Sequence, residues 1–360
     1  MRQRLLDFLA CPDCHSATLQ LKVSRYGSGG AEIEAGTVEC GGCGQTFQIR
    51  DGIPVMIPSD LQATMEGMEG GQEEGTLHTS QGYDFHHRRQ GSEISKEKSD
   101  RPSHARNLEL AGKYFLDYLA LTEAQVASLN GRVVLDAGCG PGRYMAISGE
   151  YGALDIVGLD LSLGGLLEAR SLLGDKACYH LVQGDIAHPP FKPGIFEIIY
   201  SIGVLHHLES PEKGFRALKS LLAAGGQLWI WVYGLANMSL TYRASHLVWL
   251  RRITRNWSTQ EKFRLCQKLA VIFSLLYRYP LRLAKKVLFP DRYRQLSLNN
   301  EWDRYSHDDL VYAFFDRLQP PYTHYLQREQ LEEYLADLKE VAVVNPLKRG
   351  WAARGRRASS

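Results

Sequence analysis

Three glycines at alternate positions follow a short apolar run, with an aspartate between the run and the first glycine. The run is VVL at 133–135, the aspartate is Asp136, and the glycines are Gly138, Gly140 and Gly142. A run this short and this rich in β-branched residues predicts a buried parallel strand. Glycines let the backbone turn sharply and bring its N–H groups against a ligand. Because the spacing is GxGxG after an acid, it differs from the dinucleotide fingerprint GxGxxG. The stretch predicts a strand, a turn and a helix N-terminus that hold a nucleotide cofactor.

Four cysteines form two C-x2-C pairs near the start of the chain, Cys11 with Cys14 and Cys40 with Cys43. Thiolates in such pairs are typical ligands of tetrahedral zinc. The 25 residues between the pairs exceed the usual spacing, but a hairpin that turns at 25–30 would absorb the excess. A disulfide or redox role is less favoured, because the pairs lie in a short ribbon and a reducing compartment is expected. The pattern therefore predicts a closed, structural zinc site.

Later strand-like runs follow, and the first two of them also end in acids. The runs lie at 154–160, 179–185, 195–201 and 227–233, and helical patterns at 162–173 and 211–222 separate them. This alternation predicts an α/β fold with an open, mainly parallel sheet. Because the carboxyl ends of parallel strands meet at one edge, Asp136, Asp160 and Asp185 should line one crevice. Asp160 follows the glycine turn by about 20 residues, where a carboxylate can accept hydrogen bonds from ribose hydroxyls.

Residues 104–235 resemble the class I S-adenosylmethionine-dependent methyltransferases, on the LDAGCGPG turn and on the phrase GVLHHL after the fourth strand. The resemblance implies a Rossmann-like sheet of seven strands whose last strand is antiparallel. It implies that the glycine turn holds the methionine end of S-adenosylmethionine, Asp160 the ribose, and Asp185 with Ile186 the adenine. The candidate cofactor contacts are Asp136, Gly138, Cys139, Gly140, Gly142, Asp160, Leu161, Asp185, Ile186 and Ser201.

Two histidines just beyond the fourth strand, His206 and His207, lie at the edge of the sheet where ligands bind in such folds. The methyl group of the cofactor is already activated, so the protein mostly positions the acceptor. A hydroxyl or phenol acceptor would benefit from a general base, and an imidazole can take its proton near neutral pH. His206 is therefore the candidate catalytic residue. The alternative is that the histidines cap or pack the turn before the next helix.

Residues 4–58, from LLDFLACPDC to DGIPVMIP, resemble a small zinc-ribbon family that includes the activator subunit of several tRNA and protein methyltransferases. The resemblance implies a module that acts as the partner of a catalytic domain. The chain is accordingly expected to hold a zinc-ribbon domain at 1–59, a linker at 60–103 and a class I methyltransferase domain at 104–360. A mainly helical, basic cap is expected as an insertion at about 238–325. Within the linker, Tyr83 could anchor the segment or close over the cofactor.

Four further stretches carry expectations. Residues 107–121 have helical spacing. Pro320 and Pro321 should either turn Tyr322 and His324 back towards the site or only end the preceding helix. Residues 340–346 predict a final strand, whereas the basic tail from Trp351 is expected to be disordered.

Residues 240–292 carry twelve Lys or Arg and two acids among many large apolar residues. They could form a cap over an anionic or lipid-like acceptor, a surface for anionic lipid, or a surface for RNA phosphates. They could also be helices that cover the sheet with their charges solvated.

The sequence has 44% hydrophobic and 23% charged residues and a net charge of +2, without an apolar run of membrane-spanning length or a signal peptide. A cytoplasmic location is expected. Two functions remain open: methylation of a small or lipid-linked metabolite, or methylation of an RNA base, with the ribbon and the basic region gripping phosphates. The metabolite is favoured, because no [DNS]PPY sequence or Pro-Cys nucleophile motif is found. A noncatalytic cofactor-binding scaffold is a third, less favoured alternative.

Overall fold

The computed structural model describes residues 1–27, 30–67, 112–234, 248–254, 256–290, 306–346 and 350–359. The chain begins with a 3-10 turn at Gln3–Asp7 and a four-stranded antiparallel sheet. Its strands are β1 (Leu19–Tyr26), β2 (Ile33–Cys40), β3 (Thr46–Arg50) and β4 (Ile53–Pro54), in that spatial order. β1 and β2 pair as the hairpin that the cysteine spacing required.

A seven-stranded sheet forms the centre of the molecule. Its strands are β5 (Val133–Ala137), β6 (Asp155–Asp160), β7 (Tyr179–Gln183), β8 (Phe196–Ile202), β9 (Leu222–Tyr233), β10 (Lys339–Val344) and β11 (Gly350–Arg356). The spatial order is β10-β11-β9-β8-β5-β6-β7. Strands β5 to β9 pair in parallel, and β11 is antiparallel to both β9 and β10. The predicted α/β class, the seven strands and the antiparallel last strand are confirmed.

The helices lie between and beside these strands. They are α1 (Ser59–Gly67), α2 (112–119), α3 (Glu123–Ala127), α4 (Arg143–Glu150), α5 (Leu163–Leu173), α6 (Pro211–Leu221), α7 (Val248–Thr254), α8 (Thr259–Phe273), α9 (Tyr279–Leu288), α10 (His307–Leu318) and α11 (Arg328–Tyr334). Of the helix predicted at 107–121, residues 112–119 are helical and 107–111 lie outside the described residues. None of the described helices combines the length and apolarity needed to cross a bilayer.

The prediction of a disordered C-terminal tail is wrong, because β11 lies inside the sheet between β9 and β10. Its arginines find partners in the protein. Arg354 Nη1 donates to the carbonyl of Ala120 at 2.9 Å and to Gln125 Oε1 at 3.1 Å. Arg356 Nε donates to the carbonyl of Gly225 at 3.0 Å. These hydrogen bonds pair arginines that the sequence alone predicts to be exposed to solvent.

The N-terminal sheet docks on β7, the edge strand of the large sheet. Val55 pairs with Gln183 in a parallel bridge, and the Met56 N–H donates to the Gln183 carbonyl at 2.8 Å. This pairing satisfies backbone groups that an open edge strand would expose. Phe8 and Leu9 are buried in the same apolar cluster as Val182 and Phe196 of the large sheet. The two sheets therefore share one continuous core.

An ion pair crosses the same boundary beside this core. Arg4 Nη2 lies 3.1 Å from Asp155 Oδ2, and His180 Nε2 lies 3.0 Å from Asp155 Oδ1. Asp155 and His180 are buried. Burial lowers the pKa of His180, although its contact with Asp155 opposes the shift. The neutral ring then donates a hydrogen bond to the carboxylate that Arg4 neutralises.

The described part of the basic insertion is mainly helical, as predicted, and has an apolar cluster of its own. Phe263 and Cys266 of α8 pack with Phe314 and Phe315 of α10. A π-helical turn at Ser274–Arg278 joins α8 to α9 without a break. Pro280, at the start of α9, lacks the N–H that an α-helix interior needs, and a local π adjustment accommodates that loss.

Several predictions fall partly or wholly outside the described residues. The linker prediction begins with α1, and its remainder from 68 to 103, with Tyr83, lies outside them. So do 238–247, 255 and 291–305 of the predicted cap. The domain boundaries remain predictions.

Candidate functional site

The glycine turn follows β5 directly and is built as predicted. Gly138, Gly140 and Gly142 have φ of +85°, +49° and +76°, in the left-handed region that favours glycine. A Cβ at Gly138 would lie 2.4 Å from Val204 Cγ2, and one at Gly142 would lie 2.9 Å from Ala169 Cβ. A Cβ at Gly140 would meet no atom of the described chain within 4 Å. Gly138 and Gly142 therefore serve internal packing, and the open side of the turn is at Gly140.

Asp160 holds the turn in place from the neighbouring strand. Its Oδ2 accepts the Gly140 N–H and its Oδ1 accepts the Ser162 N–H, each at 2.8 Å. β6 lies beside β5 in parallel register, with Ala137 opposite Leu159. Because each carboxylate oxygen has two lone pairs, both could still accept a hydrogen bond from a ligand hydroxyl. The predicted ribose contact is compatible with this geometry.

Asp136 is buried below the turn. Burial raises the pKa of its carboxyl well above the ordinary value, the charge of Asp160 adds to the shift, and a hydrogen bond with Tyr200 opposes it. The Tyr200 hydroxyl also lies 2.9 Å from Ser148 Oγ. Tyr200 was not among the residues predicted from the sequence. A tyrosine inside the apolar run IFEIIYS could have indicated a polar contact, because a buried hydroxyl usually has a hydrogen-bond partner.

Asp185 follows β7 at the same edge of the sheet. Its Oδ1 accepts the Ala187 N–H at 3.0 Å, and its Oδ2 lies 2.8 Å from Nδ1 of His188. This contact raises the pKa of His188 above its usual value. Ile186 is buried beside it. The structure thus brings the ends of β5, β6 and β7 together, as the parallel sheet required, and contact with an adenine remains a prediction.

Three other candidate contacts have internal roles. Ser201 Oγ donates to the Ala137 carbonyl at 2.7 Å and ties β8 to the end of β5. The Leu161 carbonyl accepts a hydrogen bond from Gln183 Nε2 at 3.0 Å, and Cys139 is buried in the apolar cluster that underlies the turn. Gln183, which also receives the N-terminal sheet, was not predicted. Direct contacts of these three residues with a cofactor stay predictions.

The two histidines form a buried pair in the 3-10 turn Leu205–His207. Nδ1 of His206 accepts a long hydrogen bond from the Tyr233 N–H at 3.4 Å, and its ring stacks on Tyr233 with centroids 3.9 Å apart. Nδ1 of His207 lies 3.0 Å from the Tyr322 carbonyl, so it must carry a proton there. In the neutral rings His206 then has its proton on Nε2, and His207 has its lone pair on Nε2. Burial lowers the pKa of His207 to about 4.

The segment after the double proline closes over these histidines, as predicted. The His324 N–H donates to the His206 carbonyl at 2.8 Å, and the Tyr322 carbonyl receives His207. The general-base role predicted for His206 requires the tautomer with an unprotonated Nε2, which the contact with Tyr233 disfavours. That role stays a prediction.

The four predicted cysteines converge at one point. The Sγ atoms of Cys11 and Cys43 are 3.7 Å apart, those of Cys14 and Cys40 are 3.5 Å apart, and all four lie within 4.8 Å of one another. Tetrahedral bonds of about 2.3 Å to a metal place sulfurs about 3.8 Å apart, whereas a disulfide bond is about 2.05 Å long. The cluster therefore fits a tetrahedral metal ion.

The backbone around Cys40 supports a thiolate. The Gly42 N–H donates to Cys40 Sγ at 3.3 Å. Burial would raise the pKa of the Cys40 thiol, but the backbone N–H groups of Cys43 and Gly42 outweigh it and lower this pKa to about 7. The CGGCG sequence thus provides the amide hydrogen bonds that a thiolate ligand requires.

Two segments of the chain match known protein families. Residues 135–230 match the family described as methyltransferase domain, and residues 2–52 match the family of Trm112p-like proteins. The chain therefore carries a methyltransferase domain joined to a Trm112p-like domain, as the two resemblances in the sequence indicated.

Three relatives illustrate the match. The tRNA U34 carboxymethyltransferase of Vibrio cholerae is 39% identical over 106 residues, which are 29% of this chain and 32% of that protein. The Mus musculus protein named "Probable tRNA methyltransferase 9B" is 35% identical over 108 residues, 29% of this chain and 22% of that protein. This chain spans about a third or less of these two proteins. A crystal structure of an S-adenosylmethionine dependent methyltransferase from Mesorhizobium loti matches 35% of this chain and 55% of that chain, with 27% identity and a TM-score of 0.31.

Proposed function

We propose that the chain is an S-adenosylmethionine-dependent methyltransferase that modifies tRNA. The observation that carries this proposal is the pairing of a methyltransferase domain with a Trm112p-like domain in one chain, whose catalytic segment is similar to proteins named for tRNA modification. The sequence favoured a small or lipid-linked metabolite and kept RNA as the alternative. The names of these two relatives favour the alternative, and neither is named for a lipid-linked acceptor.

The residues at the sheet edge fit the proposed cofactor. S-adenosylmethionine supplies, when bound, a methyl group already activated by its sulfonium. The open side of the turn at Gly140 leaves room for a ligand close to the backbone. Asp160 can accept hydrogen bonds from ribose hydroxyls while it holds the turn. Asp185 and Ile186, at the end of β7, would bind the adenine.

The protein's part in the reaction is to place the acceptor and to handle its proton. In transfer to a nucleophilic atom of a base, a bond forms between that atom and the methyl carbon as the carbon–sulfur bond breaks. The electron pair leaves with the sulfur, and any proton on the acceptor must go to a base or to water. Of the two buried imidazoles, His207 has its lone pair on Nε2, since its Nδ1–H donates to the Tyr322 carbonyl. Because burial lowers the pKa of His207 to about 4, it is a weak base, and the proton of the acceptor is expected to leave to water. The ring of His206 lies against it, with centroids 4.1 Å apart.

We infer that the four-cysteine cluster holds a structural zinc ion. Four thiolates complete its tetrahedron, so no coordination position is left for a substrate. The metal would tie the loops that carry Cys11 and Cys14 to the end of β2, directly beside the residues that pack on the large sheet. Zinc would thereby stabilise the part of the N-terminal domain that covers the edge of β7.

The direct test is methyl transfer to RNA. Purified full-length chain is incubated with methyl-labelled cofactor and unmodified bulk tRNA, and the RNA is digested to nucleosides and analysed by mass. The expected result is label in one nucleoside, lost in Asp160→Ala and kept in Asp175→Ala, a control at an exposed carboxylate in the turn before β7. Label recovered only in small metabolites or lipids of a cell extract would refute the proposal.

A further inference from the structure

The helical insertion contains a long rod. α8, the π turn at Ser274–Arg278 and α9 run without a break over 30 residues from Thr259 to Leu288, which corresponds to about 45 Å at a rise of 1.5 Å per residue. The first half is anchored, because Phe263, Cys266 and Ala270 are buried against α10. The π turn still buries Ser274 and Arg278, whereas α9 contains no buried residue.

An apolar stripe follows one side of this rod. Its members are Ile272, Leu276, Tyr279, Leu283 and Val287. They are spaced by four, three, four and four residues, which places them on one face of a helix. Their side chains are 51% to 77% exposed. Leu275, Leu288 and Phe289 beside them are also exposed. Single exposed apolar residues are normal, but a contiguous row of this length marks a binding surface.

The positive charge of the same segment favours an anionic partner over a second copy of the chain. Residues 262–290 contain seven Lys or Arg and no acid. Arg282, Lys285 and Lys286 alternate with the apolar residues of α9. A second copy docking through the same face would bring these cations against each other, since a two-fold interface joins identical patches. An anionic partner avoids that repulsion.

The apolar part of the stripe distinguishes lipid from RNA. Nonspecific RNA surfaces combine cations with aromatic faces on which bases stack. Four of the five members of this stripe are aliphatic, and aliphatic side chains offer neither a stacking face nor a hydrogen bond. Helices with basic residues beside an apolar face bind in the plane of a membrane surface. Trp249 and Trp257, exposed in and after α7, belong to the residue type that is enriched at that interface.

We propose that the stripe on α8 and α9 docks the protein on an anionic lipid surface. The rod lies in the plane of the surface, with its aliphatic residues among the upper acyl chains and Arg282, Lys285 and Lys286 at the lipid phosphates. The contact is peripheral. It is independent of the proposed RNA substrate, because neither the cofactor nor the glycine turn takes part in it.

The test is flotation of the full-length chain with vesicles of phosphatidylcholine alone or mixed with phosphatidylglycerol, without cofactor or RNA. The chain should float with the anionic vesicles and not with the neutral ones. Leu283→Asp should weaken this binding about a hundredfold, through lost apolar burial and added charge. Lys285→Gln combined with Lys286→Gln should weaken it about thirtyfold.

The matched control is Leu154→Asp, a leucine that is 56% exposed in the methyltransferase domain, and it should bind as the wild type does. All these side chains are exposed or half-buried, so unchanged circular dichroism and unfolding temperature are expected for every variant. Failure to float with anionic vesicles, or equal binding by Leu283→Asp, overturns the proposal. So does displacement of the chain from vesicles by excess tRNA, which would assign the surface to RNA. A wild-type dimer that Leu283→Asp converts to monomer would assign it to a second copy.

Discussion

Gly142→Ala and Gly140→Ala should have opposite effects: the first mainly lowers stability, and the second mainly weakens cofactor binding. Gly142 has φ of +76°, and a Cβ at this position would lie 2.9 Å from Ala169 Cβ and 3.2 Å from Leu173 Cδ1. The left-handed conformation costs an alanine about 1–2 kcal/mol, and overpacking adds about 1–3 kcal/mol. Gly142→Ala should therefore lower the free energy of unfolding by about 2–5 kcal/mol. Gly140→Ala has only the conformational cost of about 1–2 kcal/mol, because the space around it is open in the described chain.

Binding should show the reverse order. The methyl group of Gly140→Ala enters the space that the cofactor is proposed to fill, next to the N–H that Asp160 holds. We expect the Kd for S-adenosylhomocysteine to rise at least tenfold, or about 1.4 kcal/mol. Gly142→Ala, where it is still folded, should change this Kd much less, because its new methyl group points at α5.

The wild type, Gly140→Ala and Gly142→Ala are compared by calorimetric titration, which measures the Kd, and by urea unfolding, which measures the stability. The urea curve establishes that each variant is folded at the temperature of the titration. If Gly140→Ala binds S-adenosylhomocysteine as the wild type does, the open side of the turn is not the cofactor site. If Gly142→Ala is as stable as the wild type, the packing argument for that glycine is wrong.

Three further predictions follow from the rest of the structure. Removal of metal with a chelator should lower the unfolding temperature and release about one zinc ion per chain, measured by elemental analysis; an unchanged transition would refute a structural metal. Phe8→Ala, at the boundary of the two sheets, should lower the free energy of unfolding by about 3–5 kcal/mol, whereas Tyr26→Ala at an exposed site should change it by about 0.5 kcal/mol or less. The pKa of His207 is about 4 in the folded chain and about 6.5 in an unfolded one. The free energy of unfolding should therefore be unaffected by this histidine above about pH 6.5 and fall by up to about 3 kcal/mol towards pH 4. His207→Gln should flatten that urea-unfolding profile.

Local pattern was enough to predict much of the large sheet and the two candidate sites. The β-branched run before Asp136 and the spacing of the glycines determine a strand and a turn within a few residues. The two C-x2-C pairs likewise needed only a hairpin between them. These features are encoded over short stretches, so no knowledge of distant contacts was required.

The rest depended on contacts between residues far apart in the chain. The tail from Trp351 has the composition of a solvated run, but its residues up to Arg356 belong to β11, which pairs with β9 and β10, while Arg354 and Arg356 donate to the carbonyl groups of Ala120 and Gly225. The docking of the N-terminal sheet on Gln183 depends on an edge strand left open by the sheet order. Tautomers of the two histidines depend on the backbone of Tyr233 and Tyr322. A single sequence carries no local signal for such pairings.

The Trm112p-like domain is in contact with the strands that lead to the candidate cofactor site. Gln183 receives the backbone of Val55 and Met56 on one side and, through its amide, donates to the Leu161 carbonyl at the candidate cofactor edge on the other. The N-terminal sheet also shares its apolar core with β6 and β7, the strands that end in Asp160 and lead to Asp185. Loss of that sheet would expose the edge of β7 and remove part of the core beneath two of the three carboxylates. Because both domains belong to one chain, their docking is intramolecular and does not depend on protein concentration. The N-terminal sheet therefore packs against the strands that lead to two of the three carboxylates.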